Sequence, residues 1–375
     1  MDAKYLIALS HIMGVGPVII RRLVSFFGNP EDAFNADVRD LAASSALDRS
    51  TLAAFDEGRD IALKFADAQL ALAERHGVNV FPYTDNDNYP RRLKECPDGP
   101  IALYVKGDVN FETAKMLAVV GTRRPTDGGR DLCTNIVCDL CARHPDLIIV
   151  SGLAFGIDVT AHKAALHGGR PTIAVVAHGL DRIYPSQHRD VAAQMVRQGG
   201  ALVTEFPFGT EPDNYNFVSR NRIIAGLCNA TLVVESGIKG GSMHTASDAV
   251  DYDRTLLAVP GFPGREQSQG CNWLIKSNRA QLVESADDVD EALSWDVHKA
   301  GKQALASVQG SLFAEPQDDD QRAIAQALKV EDCLTASILS VRTHLPISKV
   351  NMALTMMEFS GLVKSLPGNS YKLIQ

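Results

Sequence analysis

No stretch of this chain stays apolar for the roughly 18 residues that a membrane span needs. The opening Met1-Asp-Ala-Lys-Tyr-Leu-Ile-Ala-Leu-Ser-His11 holds one apolar stretch, too short and too amphipathic for a signal peptide. A cytoplasmic protein without membrane contact is the expectation. Excess positive charge is missing as well: 37 Lys and Arg against 45 Asp and Glu give a net charge of −8. Such a chain does not coat nucleic acid by its overall field, so any nucleic-acid site must be a local basic patch on an acidic body. Cysteine forms no disulfide-like framework, since there are seven and the number is odd, which fits a reducing compartment. Cys133, Cys138 and Cys141 have the C-x4-C-x2-C spacing of plant-type iron–sulfur proteins. They lie in a helix-like run where a cluster would need a loop, and they read as small buried hydrophobes. His162 and His167 are five apart and do not share a helical face, so no metal site is expected.

Two familiar nucleotide signatures are absent too. There is no Gly-Lys-Ser/Thr Walker sequence and no Gly-x-Gly-x-x-Gly fingerprint, which removes the usual support for ATP hydrolysis or NAD binding. No Ser/His/Asp order or reactive Cys/His pairing stands out, and no cofactor is expected.

What is present is a strong alternation of short apolar runs with amphipathic helical patterns. Met116–Val120, Leu147–Val150, Thr172–Ala177, Ala201–Thr204, Ala230–Val234 and Thr255–Val259 are rich in Val and Ile, as strands buried on both faces are. The rhythm predicts an α/β fold with a central, doubly wound, mostly parallel Rossmann-like sheet spanning 81–295. Before it, residues 1–80 read as a small helical domain. Gly14-Val-Gly-Pro17 and the apolar helix after it resemble a helix-hairpin-helix turn, either a phosphate-holding start or a plain helical corner. The segment from Phe81 to Gly107 reads as a Pro-rich connector with short extended pieces. Residues 296–320 read as an acidic linker. From 321 to 375, helices followed by a strand, a Pro-Gly-Asn turn and a strand suggest a winged helix with Ile347–Ser360 as its second helix. That helix carries only Lys349 as a base, which suits a protein partner as well as DNA.

Three glycine turns after strands invite an anion. Gly121-Thr122-Arg123 offers close backbone approach, a hydroxyl and a guanidinium. Gly240-Gly241-Ser242, with Thr245 one turn on, forms a nest at a helix start. Ser151-Gly152 begins a third turn that runs through Phe155 to Asp158, whose carboxylate is either a helix cap or a ribose acceptor. The most informative stretch is Phe217-Val-Ser-Arg-Asn-Arg-Ile-Ile-Ala-Gly226. In it Arg220, Asn221 and Arg222 are expected to hold phosphates while Phe217 stacks on a base. Glu205 is either a general base or the partner that positions Arg220 and Arg222.

With these residues in order, the chain resembles the DNA-processing protein A family (DprA, also called Smf). Gly121-Thr-Arg123, Ser151–Asp158, Asp181-x-x-Tyr-Pro185, Arg220–Leu227, Gly241–Ala246, Ala258-Val-Pro-Gly261 and Gly270–Ile275 carry the likeness over about 80–295. The resemblance implies a sterile-alpha-motif-like N-terminal domain and a C-terminal winged helix. It also implies single-stranded DNA binding without catalysis, a homodimer, and loading of the recombinase RecA onto incoming DNA during natural transformation. By motif it assigns phosphate contacts to Gly121, Thr122, Arg123, Ser151, Gly152, Arg220, Asn221, Gly241 and Ser242. Phe155 stands where the family usually has arginine. A nucleotide-processing hydrolase or a nucleotide-sensing module of related fold is the competing expectation.

Overall fold

The computed structural model describes residues 2–113, 115–295, 318–330, 334–359, 362–366 and 370–373. These form two compact units, Met1–Leu293 and Ser294–Gln375. Most of the expected linker, 296–317, and the Pro-Gly-Asn turn at 367–369 lie outside the described residues.

The first unit begins with five helices: α1 (Asp2–His11), α2 (Pro17–Phe27), α3 (Pro30–Asn35), α4 (Val38–Ala43) and α5 (Arg49–His76). Their ends follow from sequence chemistry. Asp48 caps α5 by accepting from the Thr51 N–H at 2.7 Å, and Gly77 closes it in the left-handed conformation. Strands and helices then alternate as β1 (Asn79–Pro82), α6 (Arg91–Lys94), β2 (Ala102–Gly107), β3 (Lys115–Val120), α7 (Asp127–Arg143), β4 (Leu147–Ser151) and α8 (Ile157–His167). The series continues with β5 (Thr172–Val175), α9 (Arg189–Arg197), β6 (Ala201–Thr204), α10 (Asn214–Leu227), β7 (Ala230–Val233) and α11 (Ser242–Asp251). It ends with β8 (Thr255–Ala258), α12 (Gln269–Lys276), β9 (Gln281–Leu282) and α13 (Ala286–Leu293).

One nine-stranded sheet results, in the order β1-β2-β6-β5-β4-β3-β7-β8-β9. From β6 through β9 all neighbours are parallel. β1 and β2 add an antiparallel edge, β2 pairing with β6 through Tyr104↔Thr204 to Gly107↔Ala201. The sequence reading of this segment as a connector is corrected here: its extended pieces are sheet strands.

Alternate strand residues face opposite ways. Met116, Ala118, Val150, Ile173 and Val175 pack against Ile223 and Ile224 of α10. Ala174, Val176 and Leu202 belong instead to a core shared with Leu6, Leu9, Ile20 and Phe55 of the N-terminal helices. The chain winds from β3 outward through β4, β5 and β6, then returns to start β7 on the other side of β3. That reversal places a switch point between β3 and β7, where α/β sheets open a crevice beyond their carboxyl ends.

The second unit holds helices Asp319–Val330, Ala336–Thr343 and Ile347–Phe359 and a three-stranded antiparallel sheet. Ile324, Leu328, Leu339, Val350, Leu354 and Met357 form its core. This is a winged-helix arrangement. No described helix is long and apolar enough to cross a membrane.

Candidate nucleic-acid interface

A cleft of about 320 Å³ opens at the switch point. Gly121, Thr122 and Arg123 from the turn after β3 form one side, and Ser236, Gly237, Gly240 and Gly241 from the turn after β7 form the other. α10 contributes Asn214, Phe217, Val218, Arg220 and Asn221, and α8 contributes Asp158. Ser242 and Thr245, both buried, line the floor at the start of α11.

Glycine is required where loops cross. Gly156, at φ 81°, is so close to the Thr122 carbonyl that a Cβ there would collide with it. Gly152 faces the Arg220 guanidinium equally closely. Glu235, which sequence reasoning passed over, ties the two sides of the crevice together. Its carboxylate accepts from the Thr126 N–H at 2.8 Å and the Thr126 hydroxyl at 2.6 Å, while its carbonyl accepts from the Thr122 N–H at 2.6 Å. A carboxylate just past a central strand, opposite a helix-cap threonine, was the available signal.

Two features suit an anion. Arg123 is exposed, its guanidinium 5.2 Å from the centre of the Phe217 ring. α11 starts at Ser242, after Gly241, with no side-chain cap. The Met243 and His244 N–H groups already donate to the Gly240 and Gly241 carbonyls at 3.0 and 3.2 Å. The start therefore offers the cleft the N–H groups ahead of them and the positive end of the helix dipole. Asn221 donates to the Gly241 carbonyl at 3.3 Å and braces that turn.

Other residues in the sequence reading hold different places. Arg220 is 3 % exposed and donates to the carbonyls of Gly152, at 2.8 Å, and Val175. Burial pushes its pKa down to about 10, against the pull of Asp158. Both bonds come from Nη1, so Arg220 braces the cleft that it also lines. Asp158 accepts from the N–H groups of Gly152 at 3.1 Å and Ala154 at 3.4 Å, so it braces the turn before α8. Ser151 is fully buried, donating to the Val119 carbonyl at 2.6 Å, and it is not available to a ligand. Gly152 likewise lies behind Arg220.

Arg222 faces away from the cleft altogether. It pairs with Glu205 at 2.5 Å and approaches Asp98 at 3.8 Å, on the wall of a separate cavity shared with the N-terminal helices. Burial raises the Glu205 pKa and Arg222 pulls it back. Arg222 therefore leaves the expected phosphate site. Glu205 pairs with Arg222 and not with Arg220, while also accepting from the Ser219 hydroxyl at 3.5 Å. Phe155 stands outside the cleft lining, 44 % exposed, edge-on to His188 at 4.9 Å. The cysteines Cys133 and Cys141 are buried in α7, and burial pushes both thiols up to about 12.

A family model for the DNA recombination-mediator protein A matches residues 80–294, and one for the DprA winged helix domain matches 313–369. The chain belongs to the DNA recombination-mediator protein A family. Protein Smf of Escherichia coli is 35% identical over 83% of this chain and 81% of its own length. Protein Smf of Synechocystis is 31% identical over 99% and 98%. The X-ray structure of DNA processing protein A from Streptococcus pneumoniae has a TM-score of 0.65 at 33% identity, covering 76% of this chain and 96% of that one. The Helicobacter pylori DNA processing protein A, described for its single-stranded DNA binding mode, has a TM-score of 0.51 at 28% identity, over 58% and 99%.

Proposed function

We propose that this chain is a non-catalytic, cytoplasmic single-stranded DNA-binding mediator that protects incoming DNA and loads RecA onto it during natural transformation. It acts as a homodimer and needs no cofactor. The family membership and the single-strand binding described for the Helicobacter pylori relative support this reading. One observation carries it: Arg123, Phe217 and the uncapped start of α11 surround one cleft at the switch point. A cation, an aromatic face and main-chain N–H groups are what a single strand requires, since phosphates need charge and unpaired bases need a ring.

Fluorescence anisotropy with oligo-dT tests the site. Arg123→Ala weakens binding and reduces the slope of log K against log salt by about 0.7, one phosphate's share. An unchanged affinity and slope in Arg123→Ala would remove the cleft from the mechanism. RecA-driven strand exchange then tests the mediator role: the parent protein shortens the lag and Arg123→Ala does not.

A further inference from the structure

The surface beside the cleft carries two aromatic rings that the cleft itself does not use. Tyr184 is 46 % and Phe155 44 % exposed, yet each is held in place. The Tyr184 N–H donates to His178 Nε2 at 3.2 Å. Its loop is anchored where Asp181 accepts from the Gly209 N–H at 2.9 Å and Gly179 N–H donates to the Thr210 carbonyl at 3.1 Å. Phe155 precedes Gly156 and rests on His188, whose Nδ1 lies 2.8 Å from the Leu153 carbonyl. A fixed ring with an open face has already lost the rotamer freedom that binding would otherwise remove.

Both rings adjoin the cleft. Tyr184 lies 5.7 Å from Phe217, centre to centre, and Phe155 follows Ala154 of the cleft lining. Within the Tyr184 loop the base Arg182 is tied to Asp181 at 3.2 Å and Glu211 at 2.9 Å, so the rings themselves, and not that arginine, are what the loop offers a strand.

We propose that Tyr184 and Phe155 form a neutral base-stacking track that carries the strand onward from the cleft. This rests on the single-strand reading of the cleft and extends it: phosphates are gripped at Arg123 and the α11 start, while the neighbouring bases are held by rings alone. Every base has a π-face, so the track is indifferent to sequence.

Oligo-dT binding by full-length Tyr184→Ala and Phe155→Ala, measured at several salt concentrations, tests it. Each is expected to lose roughly 5-fold or more in affinity with the salt slope unchanged, unlike Arg123→Ala. Phe155→Arg is expected to steepen the slope by about 0.7. Oligonucleotides carrying 2-aminopurine along their length should show fluorescence quenching at positions beyond those the cleft holds, lost in the alanine variants. Thermal melting matching that of the parent checks the fold, as both rings are exposed. Unchanged affinity in both alanine variants, while Arg123→Ala still weakens binding, overturns the track and leaves the cleft standing. Changed dimerisation with unchanged quenching also overturns it, assigning the rings to a protein contact. Indifference of oligo-dT to Arg123→Ala would instead undo the cleft reading itself.

Discussion

Arg220 makes both of its main-chain hydrogen bonds through Nη1, and removing it leaves those carbonyls and Asp158 without a buried cation between them. Arg220→Ala is therefore expected to cost on the order of 3 kcal/mol of stability, seen as a lower urea midpoint. Its DNA affinity should fall as well, because Arg220 also lines the cleft. Arg222, two positions on, points elsewhere because two helical residues subtend about 200°. The spacing of Arg220 and Arg222 carries that divergence, although the sequence reading has both hold phosphates. The burial of Arg220 was not legible there, because it depends on Gly152 letting the guanidinium in from another strand end. His162 gives a second prediction at this scale. It is fully buried, its Nδ1 2.7 Å from the Thr172 hydroxyl, and burial pushes its pKa to about 3 from 6.5. Between those values the unfolded chain binds a proton that the native state refuses, so stability falls as pH drops below 6.5. From pH 7.5 to pH 5 this single group removes about 2 kcal/mol. Urea titrations should show that loss shrinking by this share in His162→Gln.

Elements formed where local pattern and burial agreed. β3 to β8 were legible because a strand covered on both faces must be apolar throughout, and Leu147-Ile-Ile-Val150 admits little else. β1 and β2 were not, since β1 is a partly exposed edge strand ending in Pro82 and its pairing with β2 bridges a long Pro-rich excursion. The glycine turns were legible as anion-friendly loops, but their mutual contact was not. Gly156 and the Thr122 carbonyl come together only because β3 and β4 are neighbours. Gly156→Ala must push the Arg123 turn away, adding strain at positive φ. We expect about 1–3 kcal/mol of destabilisation together with weakened oligo-dT binding at 20 °C, where the protein remains folded. Normal affinity in this variant would mean that the Arg123 turn does not need its observed position.

Across the whole molecule, a net charge of −8 repels nucleic acid everywhere except at local cations. The winged-helix unit carries Arg322, Lys329, Arg342, Lys349, Lys364 and Lys372, but they are not gathered on its second helix. In its helix Ile347–Phe359 the only base is Lys349, which lies 3.5 Å from Asp320. The exposed side chains there include Ile347, Met352 and Met356, an apolar surface of the sort that meets protein. Strand binding should therefore belong to the first unit. A chain ending at Trp295 is expected to keep oligo-dT affinity within about twofold and the same salt slope. Duplex competitor should displace little oligo-dT from either form, because paired bases cannot reach Phe217. A slope that falls by about one phosphate or more on truncation would place strand contacts in the winged helix. It would also mean that the acidic first unit does not grip DNA alone.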